Sequence, residues 1–335
     1  MDEKIDFIIT WVNGNDPNWQ DVRNYHAHQE HVEIDNDATR FRDWDTLRYW
    51  FRGVEKFAPW VNNIYFVTCG HLPEWLNISH PKLKIIKHSD YIPQDYLPTF
   101  NSNVIEYYFH KIDGLSDKFV YFNDDMFLIN SVKPTRFFYK GLPCDLGGMT
   151  INIHNGMFGA TVLLAKTIIN DHFNKQEVVR KHPSEWFNYK YFSQSILNFL
   201  CLFVKKKDFT GFVNPHLPQA FLKEVYEDVW ENCEKDLKRT SKNRFRDYGD
   251  IAFWLFRYWQ LVLGRFAPYN TNKDGRYYLV SDINVSEIVN CITKQKKRIV
   301  CLNDSDLVED FNKVKKIIAK AFDSILPNKC SFEIE

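Results

Sequence analysis

The chain has 335 residues, of which 44% are hydrophobic and 16% aromatic, with only 13 glycines and 13 prolines. This composition belongs to a folded globular protein of one large or two moderate domains. Lysine plus arginine equals aspartate plus glutamate at 43 each, so no net field recruits nucleic acid or a membrane in bulk, and any polyanion site is local.

The opening MDEKIDFIITWV has no cationic leader followed by a long apolar region, so no secretory signal is expected. Seven scattered cysteines, none in a CxxC pair, read as reduced thiols of a cytoplasmic protein without a zinc site. The longest apolar stretch, residues 195–204, is about ten residues long, includes Asn198 and falls short of a membrane span.

Residues 5–12 form a β-rich run that stops at Asn13-Gly14-Asn15-Asp16-Pro17, a buried strand entering a polar turn. The amides and carboxamides there could meet a nucleotide, or close an ordinary Asn-Gly turn. In residues 40–57 the aromatic and aliphatic side chains recur at helical spacing, predicting one amphipathic helix ended by Pro59. Arg40, Arg42 and Asp43 would open it, as phosphate contacts or as a solvated first turn. Residues 63–69 and 83–88 read as short buried strands. Next, FNSNVIE at residues 100–106 leads into a helix over 104–112, with Ser102 or Asn103 as its cap. Glu106, one turn in, is open as a general base, a metal ligand or a surface carboxylate near the helix start.

The most informative segment is KFVYFNDDMFLIN, residues 118–130. Unpaired carboxylates in so apolar a run would be costly, so Asn123-Asp124-Asp125 should face a cleft and hold a divalent or other cation. Asp and Asn are poor strand residues, which places the triplet just past the carboxyl end of a strand. Hard oxygen ligands suit Mg2+ or Mn2+ carrying a diphosphate; an Asx turn closing a hairpin is the competing reading.

The second half is richer in helical periodicity, over residues 184–204, 218–237 and 250–263. His216 lies between Pro215 and Pro218, and the spacing predicts a helix directly after it, a placement suited to acid-base work or to an anion, with a structural or merely exposed histidine as the competing reading. Arg244 and Arg246 precede Asp250 with Asp247 between them, opposed charges at helical spacing that read as surface pairs. The runs at 205–207 and 294–298 read as solvated basic faces, with contact to anionic lipid or polymer as the competing reading. Residues 298–302 form a last strand entering Asn303-Asp304-Ser305, followed by a helix over 306–326 capped by Ser305 or Asp304.

This order argues for an α/β layer fold: a Rossmann-like, largely parallel sheet with a helical insertion over the cleft. The expected division is an α/β core over residues 1–150, a mainly helical insertion over 151–295, and a strand-helix unit over 296–335 that rejoins the first sheet.

The chain resembles the Stealth proteins, bacterial capsular and cell-wall polysaccharide phosphotransferases related to the animal N-acetylglucosamine-1-phosphotransferase. The resemblance is carried by IDFIITWVNGND at 5–16, by residues 40–128 from RFRDWDTLRYWF to FVYFNDDMFL, by SEWFNYKYFSQSILNFL with NPHLPQAF at 184–221, and by CLND at 301–304. It implies transfer of a sugar 1-phosphate from a UDP-sugar to a glycan hydroxyl, releasing UMP. It further implies Glu106, Asp125, His216 and Arg246 as catalytic residues. Asp124, Asp125, Asn303 and Asp304 would hold Mg2+ or Mn2+. Asn13, Gly14, Asp16, Arg42, Ser102, Asn103 and Asp250 would bind substrate. The chain lacks the large cysteine-rich insertions and membrane anchors of the animal relatives, which favours a glycan acceptor, lipid-linked or growing, at the cytoplasmic face. Helix 251–263, with Arg257 and Arg265, could touch the membrane or pack in the core. A metal-dependent glycosyltransferase and a noncatalytic polysaccharide-binding module are the competing classes.

Overall fold

The computed structural model describes residues 4–32 and 42–334. The β-rich runs of the first half become β1 (Asp6–Thr10), β2 (Ile64–Thr68), β3 (Leu83–Lys87) and β4 (Lys118–Phe122), followed by a short β5 (Met126–Leu128). Later come β6 (Phe138–Tyr139), β7 (Leu142–Asp145), β8 (Gln219–Leu222), β9 (Ala267–Pro268), β10 (Gly275–Leu279) and β11 (Ile299–Asn303). The main sheet has the order β3-β2-β1-β4-β8 and is parallel except at its β8 edge. The expected α/β architecture is therefore present. Phe7, Ile8, Ile9, Val120 and Phe122 are fully buried, the near-continuous apolar pattern of parallel strands covered on both faces. Strand order runs outward from β1 in both directions, so a crevice opens beyond the carboxyl ends of β1 and β4, where open sheets of this kind bind ligands.

Several helices differ from the periodicity reading. The helix anticipated over 40–57 is Leu47–Phe57; Asp45, just upstream, has a φ of 52°, which an α-helix cannot contain, while Arg40 and Phe41 lie outside the described residues. The 104–112 segment is a short helix, Ser102–Tyr107, followed by a 3-10 turn at Phe109–Lys111. The 184–204 stretch breaks into Pro183–Trp186, a 3-10 turn at Tyr189–Tyr191 and the helix Phe192–Phe203. Residues 218–237 are not one helix: β8 comes first, and the helix Lys223–Ser241 begins only after it. The 250–263 segment contributes Trp254–Val262, buried at every position, so core packing describes it and the membrane contact anticipated there does not. The closing helix is Phe311–Ile325, capped by Asp310 instead of Asp304 or Ser305.

The last strand does not enter the main sheet. It pairs parallel to β10 and antiparallel to β5, with Cys301 opposite Met126. Helix Leu47–Phe57 lies on β5 so closely that a Cβ at Gly53 would sit 2.7 Å from the Leu128 carbonyl oxygen. Tyr49 of the same helix stacks on Phe322 of the closing helix at 5.1 Å, and Phe322 meets Phe127 at 4.9 Å.

A buried ion pair ties the helix Trp254–Val262 to the end of β7. Arg257 donates from Nε and Nη2 to Asp145 at 2.7 and 2.9 Å, and from Nη1 to the Val213 carbonyl at 2.8 Å, three residues before His216. Arg257→Met would strand the Asp145 carboxylate in a region with little water, a loss of about 3 to 5 kcal/mol. The expected outcome is a clear fall in the midpoint of chemical denaturation; an unchanged midpoint would show that the pair is dispensable.

Candidate active site

β4 ends at Phe122 and the chain turns through Asn123-Asp124-Asp125, with the Met126 amide donating to the Asn123 carbonyl at 3.2 Å. The triplet is thus a turn, and it lies at the carboxyl end of a central parallel strand, as the sequence implied. Asp125 is fixed from the far side: its carbonyl accepts the Leu302 amide at 2.8 Å, and its Oδ2 accepts the Cys301 thiol at 3.2 Å. His216 Nε2 stands 3.7 Å from the same Oδ2. Oδ1 of Asp125 is buried and has no hydrogen-bond partner. An unsatisfied buried carboxylate oxygen is costly, and a cation is the natural partner for it. Asp124 is open to solvent, yet the protein crowded around it and the adjacent Asp125 raise its carboxyl above the ordinary range.

Asp125, His216 and Cys301 each offer one ligand atom, all within 4.8 Å of one another, and could hold a metal ion. Burial and then the neighbouring Asp125 push the Cys301 thiol well above its ordinary value, so it stays protonated and donates. With the sulfur neutral, the available donors are the hard carboxylate oxygen and the imidazole, a set that fits a divalent cation also carried by phosphate oxygens. Cys301 went unrecognised as a site residue in the sequence, although alternation along β11 puts it on the same face as Asn303.

Glu106 is the second centre. Its side chain is buried, and Tyr121 of β4 donates to its Oε1 at 2.8 Å. Burial pushes its carboxyl up to about 7, against the pull of the Tyr121 hydrogen bond and the charge of Arg246. The open choice about Glu106 is thereby narrowed, since a surface carboxylate is not what the structure contains. Asn101 caps the Glu106 helix by accepting from the Asn103 amide at 3.1 Å, the role expected of Ser102 or Asn103. The Asn101 amide group donates to Asp250 Oδ2 at 2.6 Å and to the Asn243 and Phe245 carbonyls at 3.3 Å, pinning the 243–250 loop to the helix start. Arg246 then reaches over the helix and donates to Ser102 Oγ at 2.5 Å.

Asp250 is fully buried and satisfied by Asn101, Asn243 and the Asp247 amide, so it shapes the Arg246 loop and does not face the cleft as a substrate ligand. Asn103 accepts the Phe253 amide through Oδ1 at 3.1 Å and lines the cleft.

His216 reaches the cleft on an extended segment ahead of β8; the helix start anticipated after it is absent. Asn214, two residues earlier, accepts from the Tyr258 hydroxyl at 2.8 Å, and the His216 ring meets Tyr277 edge-on at 5.3 Å. Glu106, Tyr121, Asn123, His216, Arg246 and Ser102 all line one cavity of about 220 Å3.

The remaining candidates stand apart from this cavity. Asn13 donates its amide to His71 Nδ1 at 3.1 Å, Asp16 lies 3.8 Å from His71 Nε2 and caps the next helix, and Gly14 accepts from Gln20. These groups sit at the carboxyl end of β1, with His71 as a partner that sequence reasoning did not single out. Arg42 and Asp304 are engaged with each other, at 2.9 and 2.6 Å, and Arg42 also donates to the Ser305 carbonyl. Asn303 donates to the Tyr277 hydroxyl at 3.0 Å. The structure thus does not gather Asp124, Asp125, Asn303 and Asp304 into one ligand set, because a bidentate arginine neutralises Asp304.

A buried carboxylate, an imidazole and an arginine thus gather in one cavity beyond the carboxyl ends of parallel strands, the place where sheets of this kind bind ligands. Residues 3–25 match Stealth protein CR1, conserved region 1, and residues 40–144 match Stealth protein CR2, conserved region 2. The chain is 41% identical to the capsular polysaccharide phosphotransferase WcwK of Streptococcus pneumoniae, over 99% of this chain and 98% of that one. It is 40% identical to the exopolysaccharide phosphotransferase cps2G of Lactiplantibacillus plantarum, over 98% and 96% of the two chains, and 39% identical to the receptor polysaccharide phosphotransferase WefC of Streptococcus gordonii over all of both. The chain belongs to the Stealth family and is a phosphotransferase. A structure of the galactosyltransferase LgtC with donor and acceptor sugar analogues aligns over 94% of the chain at a TM-score of 0.37 and 11% identity, too loosely to bear on the reaction.

The raised Glu106 value has a testable sign. Folded Glu106 keeps its proton up to about 7 while the unfolded chain releases it near the ordinary carboxylate value, so its contribution to stability is present at low pH and is lost as pH rises through 7. Glu106→Gln removes that loss. The variant should gain roughly 1 to 3 kcal/mol on wild type between pH 5 and pH 8 while losing turnover. Parallel stability curves for the two proteins across that range would contradict the assignment.

Proposed function

We propose that the protein transfers a sugar 1-phosphate from a UDP-sugar, a UDP-N-acetylhexosamine or UDP-hexose, to a hydroxyl of a glycan acceptor in capsular or other cell-surface polysaccharide synthesis. The acceptor oxygen attacks the β-phosphorus, the bond from that phosphorus to the bridging oxygen breaks, and UMP leaves with the bridging oxygen. The observation that carries this reading is the meeting of Glu106, Arg246 and His216 in the cavity beside Asp125. Glu106, poised near neutrality, or His216 takes the hydroxyl proton, and Arg246 steadies the charge on the phosphoryl oxygens. Ser102 and Asn103 orient the substrate, and the β1 turn with Asn13, Gly14 and Asp16 receives the nucleotide. Mg2+ or Mn2+ at Asp125, with Asp124 and His216 beside it, would neutralise diphosphate charge when bound. The acceptor is a lipid-linked or growing polysaccharide at the cytoplasmic face. The names of the full-length relatives support the polysaccharide setting.

The released nucleotide decides the reaction. With UDP-N-acetylglucosamine, a divalent cation and a glycan acceptor, UMP is expected; UDP would make the enzyme a glycosyltransferase, and neither would leave a binder. Chelation should abolish turnover and added Mg2+ or Mn2+ restore it.

Arg246→Lys keeps the charge but loses the planar fork that can hold Ser102 and a phosphoryl group together. Turnover at saturating donor should fall by at least about tenfold, with the fold intact. A wild-type rate would remove Arg246 from the reaction.

A further inference from the structure

The helix Phe192–Phe203 is amphipathic in the wrong sense for a protein surface. It turns Asn198 and Cys201 inward, with Gln194 and Ser195 half-buried, and leaves Phe192, Ile196, Leu197, Phe199, Leu200 and Phe203 exposed. Phe192 and Phe203, at its two ends, are each 70% exposed. A surface helix in water ordinarily does the reverse, and a contiguous apolar patch of this kind marks an interaction face.

The fold holds this helix in place with buried polar groups. Asn198, fully buried, accepts the Met149 amide at 2.7 Å and donates to the Gly147 and Trp186 carbonyls at 2.7 and 2.6 Å. At the carboxyl end the buried Lys175 ammonium donates to the carbonyls of Cys201, Val204 and Lys205 at 2.6 to 2.7 Å, closing the helix from inside. These bonds fix which face of the helix points outward. Directly after it come Lys205, Lys206 and Lys207, all exposed, and among the described residues only Lys205 of the three faces an acid, Asp208 at 4.0 Å.

An apolar stripe ending in a basic cluster matches the boundary of an anionic bilayer, where the stripe enters the acyl region and the lysines meet headgroup phosphates. The chain leads from this helix's packing partner to the cleft. Gln194 donates to the Met149 carbonyl, the chain beyond it exposes Ile151 and Ile153, and the exposed Phe158 lines the cavity that holds Glu106 and His216.

We propose that the Phe192–Phe203 face with Lys205–207 seats the enzyme on an anionic lipid bilayer, with the cleft mouth toward the membrane. The inference does not depend on the reaction assigned to the cleft. Its test is flotation of the full chain, without substrate, on vesicles of phosphatidylcholine alone and with a third phosphatidylglycerol. Binding is expected to the anionic vesicles and to be weakened by raised salt. The double variant Leu200→Glu/Phe203→Glu should abolish it, and replacing the three lysines with alanine should weaken it by at least about tenfold. Both variants should keep the wild-type thermal midpoint and nucleotide release toward a soluble acceptor, which separates failure of docking from failure of the cleft chemistry. Absence of vesicle binding would overturn the proposal. So would sedimentation showing a dimer that the same double variant dissociates, which would give the face to a second copy of the chain.

Discussion

The site exists because β8 runs backwards. In a parallel sheet, chain arriving at an edge strand enters at the amino ends, away from the crevice. Pairing antiparallel to β4, with Gln219 opposite Tyr121, β8 begins at the crevice end, so the residues just before it come out beside Asn123 and Asp125. His216 is delivered by strand direction and needs no helix dipole. The same reversal joins the two halves of the chain in one sheet, so the middle of the sequence completes the sheet as well as covering it.

Buried polar groups complete the alignment. Asn101 and Asp250 knot the 243–250 loop to the helix that carries Glu106, while Arg257 with Asp145 anchors the approach to His216. Both use fully satisfied polar networks in apolar surroundings, where loss of one member is far more costly than loss of a surface pair. The cavity walls are thus positioned by chemistry that does not face the cavity, and Tyr121 serves both purposes, standing in a central strand while donating to Glu106.

What could be read in the sequence follows from the range of the interactions. β1, β2 and β4, and the placement of Asn123-Asp124-Asp125 just beyond β4, were legible because strand burial and the break made by Asn and Asp are local. β8 was not: at four residues it is too short to show alternation, and Phe221 and Leu222 fall in phase with the helix that follows. Asp304 resembled a metal ligand because its partner, Arg42, lies 262 positions away and leaves no trace in local spacing. Cys301 was hidden for the opposite reason, since an apolar strand position is an ordinary place for a buried thiol. Asn198 was read as an interruption in an apolar run, and it is the residue through which that run is attached.

The contact of Gly53 with the Leu128 carbonyl has a consequence for variation in this chain. Position 53 is buried against β5 and sets how far that strand can stand from the helix above it, and Asp125 is the residue immediately before β5. Drift at such a position would be felt first as misalignment of the carboxylate, so a survey of natural variants would find it silent on every map of ligand contacts and still intolerant of any side chain. Its constraint is one of clearance, inherited by the cleft from the backbone behind it.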